Sequence, residues 1–443
     1  MTMAVAERSP WLAQVERRRL VTPLEGEEST DVIVVGGGIA GLATAYFVLR
    51  ETDRDVVLLE RGRVGHGATG HNAGQVVAAF ERRYEDLVRE FGEDRVAQAF
   101  RETFQGWGLL ETILEEMGRP DELIRVQGRV GIASAEDALA WAKEQRSMEQ
   151  AGLPRGEMVV STDSGMSTVP EGTEMIEHDE LMALLGTKDP GYVAAVSLPL
   201  GVINSAILVE AMAEHLLREH PGRFRLFEQS PVSRLRLGEE AVATANGHAV
   251  FGERAVLCTN GYRGIEFQAC APPALGGKVE GVVAFMVAKF SHGAPGAEAF
   301  FREGEGAPYY YLTRRGYGGR TLTSVGGPEY ELGKGQTYNE DENYSPSAYE
   351  RIDKFARDTL VGYEGTRDFQ WKGLMGYTPS MVRVVGQDPG NRSLMYNLGC
   401  NGIGLLSSLA GGLKIARLIG GAVLPPSMFD ADRLTAQRVL NIE

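Results

Sequence analysis

Residues 31–60 read DVIVVGGGIAGLATAYFVLRETDRDVVLLE, and this stretch decides the fold. The unbroken apolar run Val32 to Val35 has the character of a strand buried on both faces. Glycines in GxGxxG spacing follow it. Gly36 permits the tight turn, Gly38 lets backbone approach a pyrophosphate, and Gly41 lets the next helix pack on the strand. That helix, predicted over Ile39 to Arg50, begins with Ile39 and Ala40 and offers free N–H groups and partial positive charge to a diphosphate. A second apolar strand ends on Glu60, about 20 residues downstream, where a carboxylate accepts hydrogen bonds from a ribose. Strand, turn, helix, strand and acid in that order read as a dinucleotide-binding unit rather than an ordinary glycine-rich turn.

Working outward, Glu60 is followed by RGRVGHGATGHNAGQVV, a long glycine-rich loop of the kind that is usually functional or disordered. Near the other end, SLMYNLGCNGIGLLSSLAGGLKIARLIGG repeats the strand–glycine turn–helix pattern. There Gly399, Gly402 and Gly404 let backbone N–H groups meet a ligand at a second helix N-terminus. The first fingerprint fits NAD or FAD equally. The loop after Glu60 and the second corner suit a longer ligand, and favour FAD.

Composition limits the alternatives. At 443 residues the chain exceeds one typical core, so two domains are expected. A formal charge of −15 without a basic stripe argues against nucleic acid and mildly favours cationic small substrates. Cys258, Cys270 and Cys400 lie far apart, which disfavours a disulfide scaffold or a zinc ribbon. Seven histidines without ligand spacing predict no metal. Met1 to Glu28 has no sustained apolar stretch and carries Arg17, Arg18 and Arg19, so no signal peptide is expected. Gly402 to Leu424 contains Lys414 and Arg417 and reads as a core helix rather than a membrane span. A cytoplasmic location is the expectation.

Helices are predicted over 83–117, 135–151, 176–187, 205–219 and 347–361. Strands are predicted in RFRLFEQ, PVSRLRL, AVATANG and ERAVLC, then over 280–290, 308–312 and 320–325, with a polar loop over 331–346. Residues 1–30 form an N-terminal arm anchored by Trp11.

The chain resembles the D-amino acid oxidase family of FAD-dependent oxidoreductases, of the glycine/sarcosine oxidase type. The resemblance rests on DVIVVGGGIAGLATAYFVL, VVLLERGRVGHGATGHNAGQ, GVINSAILVEAMAEHLL, RAVLCTNGY, WKGLMGYTPSMVRVVGQDP and LGCNGIG, in that order. The GATGHNAGQ loop looks most like the branch oxidising γ-glutamylputrescine and similar amines. This implies an α/β fold: an interrupted Rossmann-type FAD domain and an α+β substrate domain with a mixed, largely antiparallel sheet. The FAD domain would comprise 31–115, 196–270 and 385–443, and the substrate domain 116–195 and 271–384. By the same resemblance Gly36, Gly38, Ile39, Ala40, Gly41, Glu60 and Arg61 hold the ADP half, with Val232 near adenine. Ala68, Thr69, His71, Asn72, Ala73, Gly74 and Gln75 lie along the flavin. Cys258, Thr259, Asn260 and Gly261 approach it from the middle of the chain, and Asn401, Gly402, Ile403, Gly404 and Leu405 meet the isoalloxazine carbonyls.

Departures from the family pattern bear on chemistry. Gly373, Leu374 and Met375 stand where sarcosine-oxidase-type members attach flavin through cysteine. Ile403, Leu405 and Leu406 stand where those members place a carboxylate-binding lysine, and Met375 and Gly376 where D-amino acid oxidases use an arginine. A buried α-carboxylate without a cation is strongly disfavoured, so an amine is the expected substrate. Arg314, Arg315 and Arg320 are the residues that would rescue an amino-acid or N-methylamino-acid reading. No lysine falls near Thr323 to Val325, where sarcosine-oxidase-type members use one toward oxygen, so oxygen or another acceptor takes the electrons. His71 occupies a position where dimethylglycine-oxidising relatives link histidine covalently to flavin, and a noncovalent FAD is favoured here. Tyr309, Tyr310, Tyr311, Trp371 and Tyr377 are aromatic candidates for the substrate cavity, and His71, Tyr311, Trp371 and Arg320 for contacts at the reacting centre. A flavin-binding partner subunit without amine turnover is the reading from another class.

Overall fold

The computed structural model describes residues 5–166, 169, 171–301, 309–333 and 335–434. Two mixed sheets organise it. The first has nine strands. At its centre Glu28–Val35 runs parallel to Val56–Leu59 on one side and to His248–Leu257 on the other. Phe224–Phe227 extends it beyond Val56–Leu59, and Asn391–Leu398 lies parallel to His248–Leu257. Parallel neighbours need crossovers, and helix Ile39–Glu51 makes the first of these. It is buried from Ala40 to Leu49 because helix Leu405–Ile419 covers the side that would otherwise meet water. Small residues permit that contact: a Cβ on Gly412 would lie 2.7 Å from the Ala43 carbonyl carbon. The two helices that carry the glycine corners therefore pack side by side.

The second sheet has ten strands and is largely antiparallel. Phe369–Tyr377, Glu280–Ser291, Arg320–Glu331, Tyr310–Tyr317 and Gly296–Phe301 follow one another, and Ile124–Ile132 and Ala194–Val202 continue the sheet. Its packed face buries Phe285, Val287, Phe300, Leu312 and Val325 against helix Ala348–Thr359. Ala194–Val202 carries the second sheet's share of the chain past residue 195.

Several element predictions change. The helix expected over 83–117 is two helices, Tyr84–Phe91 and Glu93–Glu116, separated at Gly92, whose φ of 82° breaks the helical path. The strand expected over 320–325 continues to Glu331, and that over 308–312 is seen as Tyr310–Tyr317, with Pro308 outside the described residues. Trp11 is fully buried, and its Nε1–H donates to the Asn72 carbonyl at 2.6 Å, so the arm is part of the core. Arg17 and Arg19 pin it further through buried Glu210 and Glu228. Among the described residues no helix is long and apolar enough to cross a membrane, and no group of three or more His, Cys, Asp or Glu side chains could hold a metal ion.

Candidate active site

Both glycine corners open onto one cavity of about 1160 Å³. That exceeds the roughly 300–1,000 Å³ of a drug-sized pocket and leaves room for a dinucleotide. At the first corner Gly41 has no space for a side chain, since a Cβ would fall 1.8 Å from the Gly36 carbonyl oxygen. This contact draws helix Ile39–Glu51 onto the preceding strand. Gly36, Gly38, Ile39 and Ala40 line the cavity, and Gly41 lies behind them. Glu60 also lines it, held by two amides: the Gly37 N–H donates to Oε2 at 2.6 Å and the Gly62 N–H to Oε1 at 2.7 Å. Burial raises the Glu60 pKa, and the two amides pull it back. Arg61 stacks on Tyr262 at 4.1 Å at the cavity edge, and Val232 lines the same end.

The glycine-rich loop is fixed by side chains from two other segments and by a backbone amide of the first helix. Asn72 donates to Ser205 Oγ at 2.8 Å, and Ser205 donates to the Thr69 carbonyl at 2.6 Å. Thr313 donates to the Ala73 carbonyl at 2.5 Å. Thr69 accepts from the Ile39 N–H at 3.0 Å, joining the loop to the first helix N-terminus. Ala68, Thr69, His71, Asn72, Ala73 and Gln75 line the cavity, whereas Gly74 packs against the Ile203 carbonyl behind it. The His71 Nδ1 lies 3.0 Å from the Gly67 carbonyl, a contact that puts the ring proton on Nδ1. Burial lowers its pKa, so the ring is neutral near pH 7.

At the second corner Gly402, Ile403, Gly404 and Leu405 line the cavity ahead of helix Leu405–Ile419, whose N-cap, Gly404, has no side-chain cap. Asn401 does not line it. Its carboxamide oxygen accepts the Thr378 N–H at 2.8 Å and shapes the turn instead. Cys258, Thr259 and Asn260 reach the cavity from the first sheet, and Asn260 accepts the Cys400 N–H at 3.1 Å. Gly261 is packed beneath the Met375 carbonyl. Beside this corner lies Arg383, which sequence reasoning missed. It is buried, donates to the Gly399 carbonyl at 3.3 Å and to the Ser408 hydroxyl, and keeps its Nε–H unpartnered. Burial pushes its pKa down to about 10, which still leaves it charged.

The second sheet closes the remaining side. Strand alternation turns Tyr309 and Tyr311 toward the cavity and Tyr310 into the core, stacked on Phe355 at 3.8 Å. The Tyr311 hydroxyl reaches the Met286 sulfur at 3.5 Å. Two carboxylates share this wall, and neither was a sequence candidate. Glu81 accepts from Tyr309 at 3.2 Å, and Glu329 stands nearby. Burial raises the Glu81 pKa, and burial together with the Glu81 charge pushes Glu329 up to about 8. Glu329 is exposed only in the sense that it faces the open cavity; protein surrounds it closely.

Two expected contacts fall elsewhere. Arg320 is outside the cavity, with its guanidinium over the Phe290 ring at 3.3 Å, because its strand begins at the far edge of the sheet. Trp371 is buried behind the loop, where Nε1–H donates to the His71 carbonyl at 3.1 Å. Arg314 and Arg315 are paired with Glu298 at 2.5 Å and Glu122 at 3.1 Å.

The residues present fit FAD. Two helix N-termini, an amide-clamped carboxylate and a buried guanidinium whose Nε–H has no partner all border a single cavity of sufficient size. Comparison with known proteins agrees. Probable oxidoreductase OrdL of Haemophilus influenzae is 25% identical over 247 residues, 54% of this chain and 51% of its own length, so the match spans about half of that protein. Gamma-glutamylputrescine oxidoreductase of Escherichia coli is 41% identical over 76 residues, 17% of this chain and 18% of its own. The crystal structure of glycine oxidase from Geobacillus kaustophilus shares the fold, with a TM-score of 0.66 at 18% identity over 91% of this chain and 98% of that one. The family model for FAD-dependent oxidoreductases of the DAO type matches residues 31–418, and the chain belongs to that family.

Proposed function

We propose that the protein oxidises a C–N bond in a primary or secondary amine. The observation that carries this reading is the charge of the substrate wall. Glu81, Glu329 and the tyrosines line it, and the rim arginines are engaged, Arg82 with Glu90 at 2.6 Å, Arg83 with Asp137 at 3.5 Å and Arg155 with Glu149 at 3.3 Å. An α-carboxylate placed against that wall would meet two carboxylates and no unpaired cation of the wall among the described residues, a costly arrangement. The unpaired Arg383 is held by Gly399 and Ser408 beside the second glycine corner. An amine meets acceptors and aromatic faces, the latter contributing roughly 0.5–2 kcal/mol to a cation.

FAD, when bound, supplies the hydride acceptor and passes two electrons on to oxygen or to another acceptor. The chain's part is to hold and orient. Gly36, Gly38, Ile39, Ala40, Glu60 and Arg61 would hold the ADP half, with Val232 beside adenine. Ala68 to Gln75 would run along the flavin, and Gly402 to Leu405 would meet its carbonyl oxygens with backbone N–H groups. Arg383 would stand at that corner as a fixed positive charge. The cofactor is read as noncovalent; a neutral His71 is the form that any histidyl link would need, so acid precipitation decides. FAD is expected in the supernatant over a colourless pellet, and a yellow pellet would establish the link. The substrate nitrogen must be unprotonated when its α-carbon gives up hydride; its lone pair then forms the C=N bond, and water hydrolyses the imine to a carbonyl product. Tyr311 borders the cavity where such an amine would lie. Anaerobic mixing of the holoenzyme with amines and amino acids, followed by flavin absorbance, tests the reading. Bleaching by amines is expected. Bleaching by α-amino acids alone would replace the amine reading, and no bleaching by either would favour a flavin-binding subunit.

A further inference from the structure

The substrate wall owes its second carboxylate to a β-bulge. Along Glu280–Ser291, Met286 lies opposite Gly326 but Ala284 lies opposite Glu329, so one residue between them, Phe285, faces two on the other strand, Gly327 and Pro328. Met286 and Ala284 both line the cavity, and Tyr311, also opposite Gly326, folds its ring over that glycine. Simple alternation from Gly326 would bring Pro328 to this face and turn Glu329 away. The extra residue at Gly327–Pro328 reverses that and aims Glu329 into the cavity. The first carboxylate is placed just as closely. A Cβ on Gly402 would lie 2.0 Å from Glu81 Oε1 and 3.0 Å from the Tyr377 hydroxyl, so both groups converge on the second glycine corner.

Elsewhere the fold satisfies its buried carboxylates, with cations for Glu228 (Arg19), Glu298 (Arg314) and Asp353 (Arg367), and with several neutral N–H or O–H donors for Glu60 and Asp388. Glu81 and Glu329 have no cation among the described residues, and the charges acting on each other are both negative. Such a pair is disfavoured unless a proton or a cation lies with it. The reacting nitrogen is a poor choice for that cation, because carboxylates hold an ammonium protonated and its lone pair must be free for oxidation. A second ammonium group on the same molecule satisfies both demands.

We propose that Glu81 and Glu329 form a charge-recognition pair, and that the substrate is an aliphatic di- or polyamine that places a non-reacting ammonium between them. This rests on the amine-oxidation reading, and the experiment separates the two. The holoenzyme is titrated with 1,4-diaminobutane, n-butylamine and 4-aminobutyrate, reading binding by calorimetry and, anaerobically, flavin bleaching. The diamine is expected to bind about 100-fold more tightly than n-butylamine, the scale of a desolvated charge-assisted contact. Glu81→Gln and Glu329→Gln, each with full FAD content and an unchanged melting temperature at pH 8.5, are expected to cut that preference to about threefold. Carboxylate-dependent diamine binding without bleaching would keep the pair and overturn the oxidation reading. Bleaching by the diamine with its preference intact in both variants would keep the oxidation and overturn the pair. Equal binding of diamine and monoamine to the unaltered protein, or no binding of either, would overturn the pair as well.

Discussion

The two ends of the cavity treat charge in opposite ways. At the nucleotide end the carboxylate of Glu60 is satisfied by the amides of Gly37 and Gly62, and the N-terminus of helix Ile39–Glu51 supplies positive potential for an anionic ligand. At the substrate end Glu81 and Glu329 oppose each other with no cation among the described residues, and in the proposed reading the positive charge arrives with the ligand. The nucleotide end is finished by its own backbone. The substrate end is completed by what binds there.

The largest effect should come from disturbing the finished end. Gly41→Ala places a methyl group 1.8 Å from a backbone oxygen, a clash that no side-chain rotation relieves. Overpacking costs reach about 3 kcal/mol, so FAD affinity is expected to fall about 100-fold or more. Fluorescence titration of the apoprotein with FAD measures this. Retention of full affinity would mean the corner does not hold the diphosphate.

The unfinished end should show itself through pH. Glu329, raised to about 8 by burial and by Glu81, keeps a proton at pH 6 that a bound cation must displace; Glu331, Tyr309, Tyr311 and Tyr377 are the other titratable groups whose fields meet there. Affinity for 1,4-diaminobutane should therefore climb about tenfold per pH unit up to about 8 and then level off, and Glu329→Gln should flatten the climb. The stability sign follows from the same proton. Between the ordinary carboxylate range and about pH 8 the folded chain holds a proton that the unfolded chain has released, so stability falls as pH rises through this window. The ligand-free protein should accordingly lose melting temperature from pH 5.5 to 8.5 faster than the glutamine variant does. Parallel curves would place the proton elsewhere.

The same contrast explains what the sequence could reveal. The nucleotide end is built from local pattern: the glycine spacing, the apolar strands and Glu60 all lie within one thirty-residue stretch, and helix Ser205–Glu219 has the bounds its periodicity predicts. The substrate end is assembled from residues with no common pattern. Glu81 sits in a loop, and its role depends on a contact with Gly402. Glu329 faces the cavity only because of a bulge, and period-2 reading of GGPEYE turns it the wrong way. Arg383 lies in MVRVVG, where nothing nearby marks it as buried and unpaired. Arg320, by contrast, looked suitable by type and position, and stacking on Phe290 removes it from the site.

Gly402 joins the two ends and gives a smaller, sharper test. Its φ of 77° favours glycine, and a methyl group there would drive the Glu81 carboxylate off the corner. Gly402→Ala should weaken diamine binding about fivefold. Combined with Glu81→Gln it should cost little more than Glu81→Gln alone, because both disturb one contact. Additive losses, measured by calorimetry on all four proteins, would separate the glycine corner from the carboxylate.

The smallest effect belongs to Arg320. If the cavity took a simple amino acid, a free guanidinium would be needed, and removing it would abolish binding of carboxylate-bearing ligands. In the fold Arg320 lies over Phe290 outside the cavity, a surface cation–π contact worth roughly 0.5–1 kcal/mol. Arg320→Ala should therefore leave flavin reduction by 1,4-diaminobutane within twofold and lower the melting temperature by only about 1–3 °C. A tenfold or greater loss confined to carboxylate-bearing substrates would instead bring a cation back to the substrate end, and the contrast between the two ends would fail.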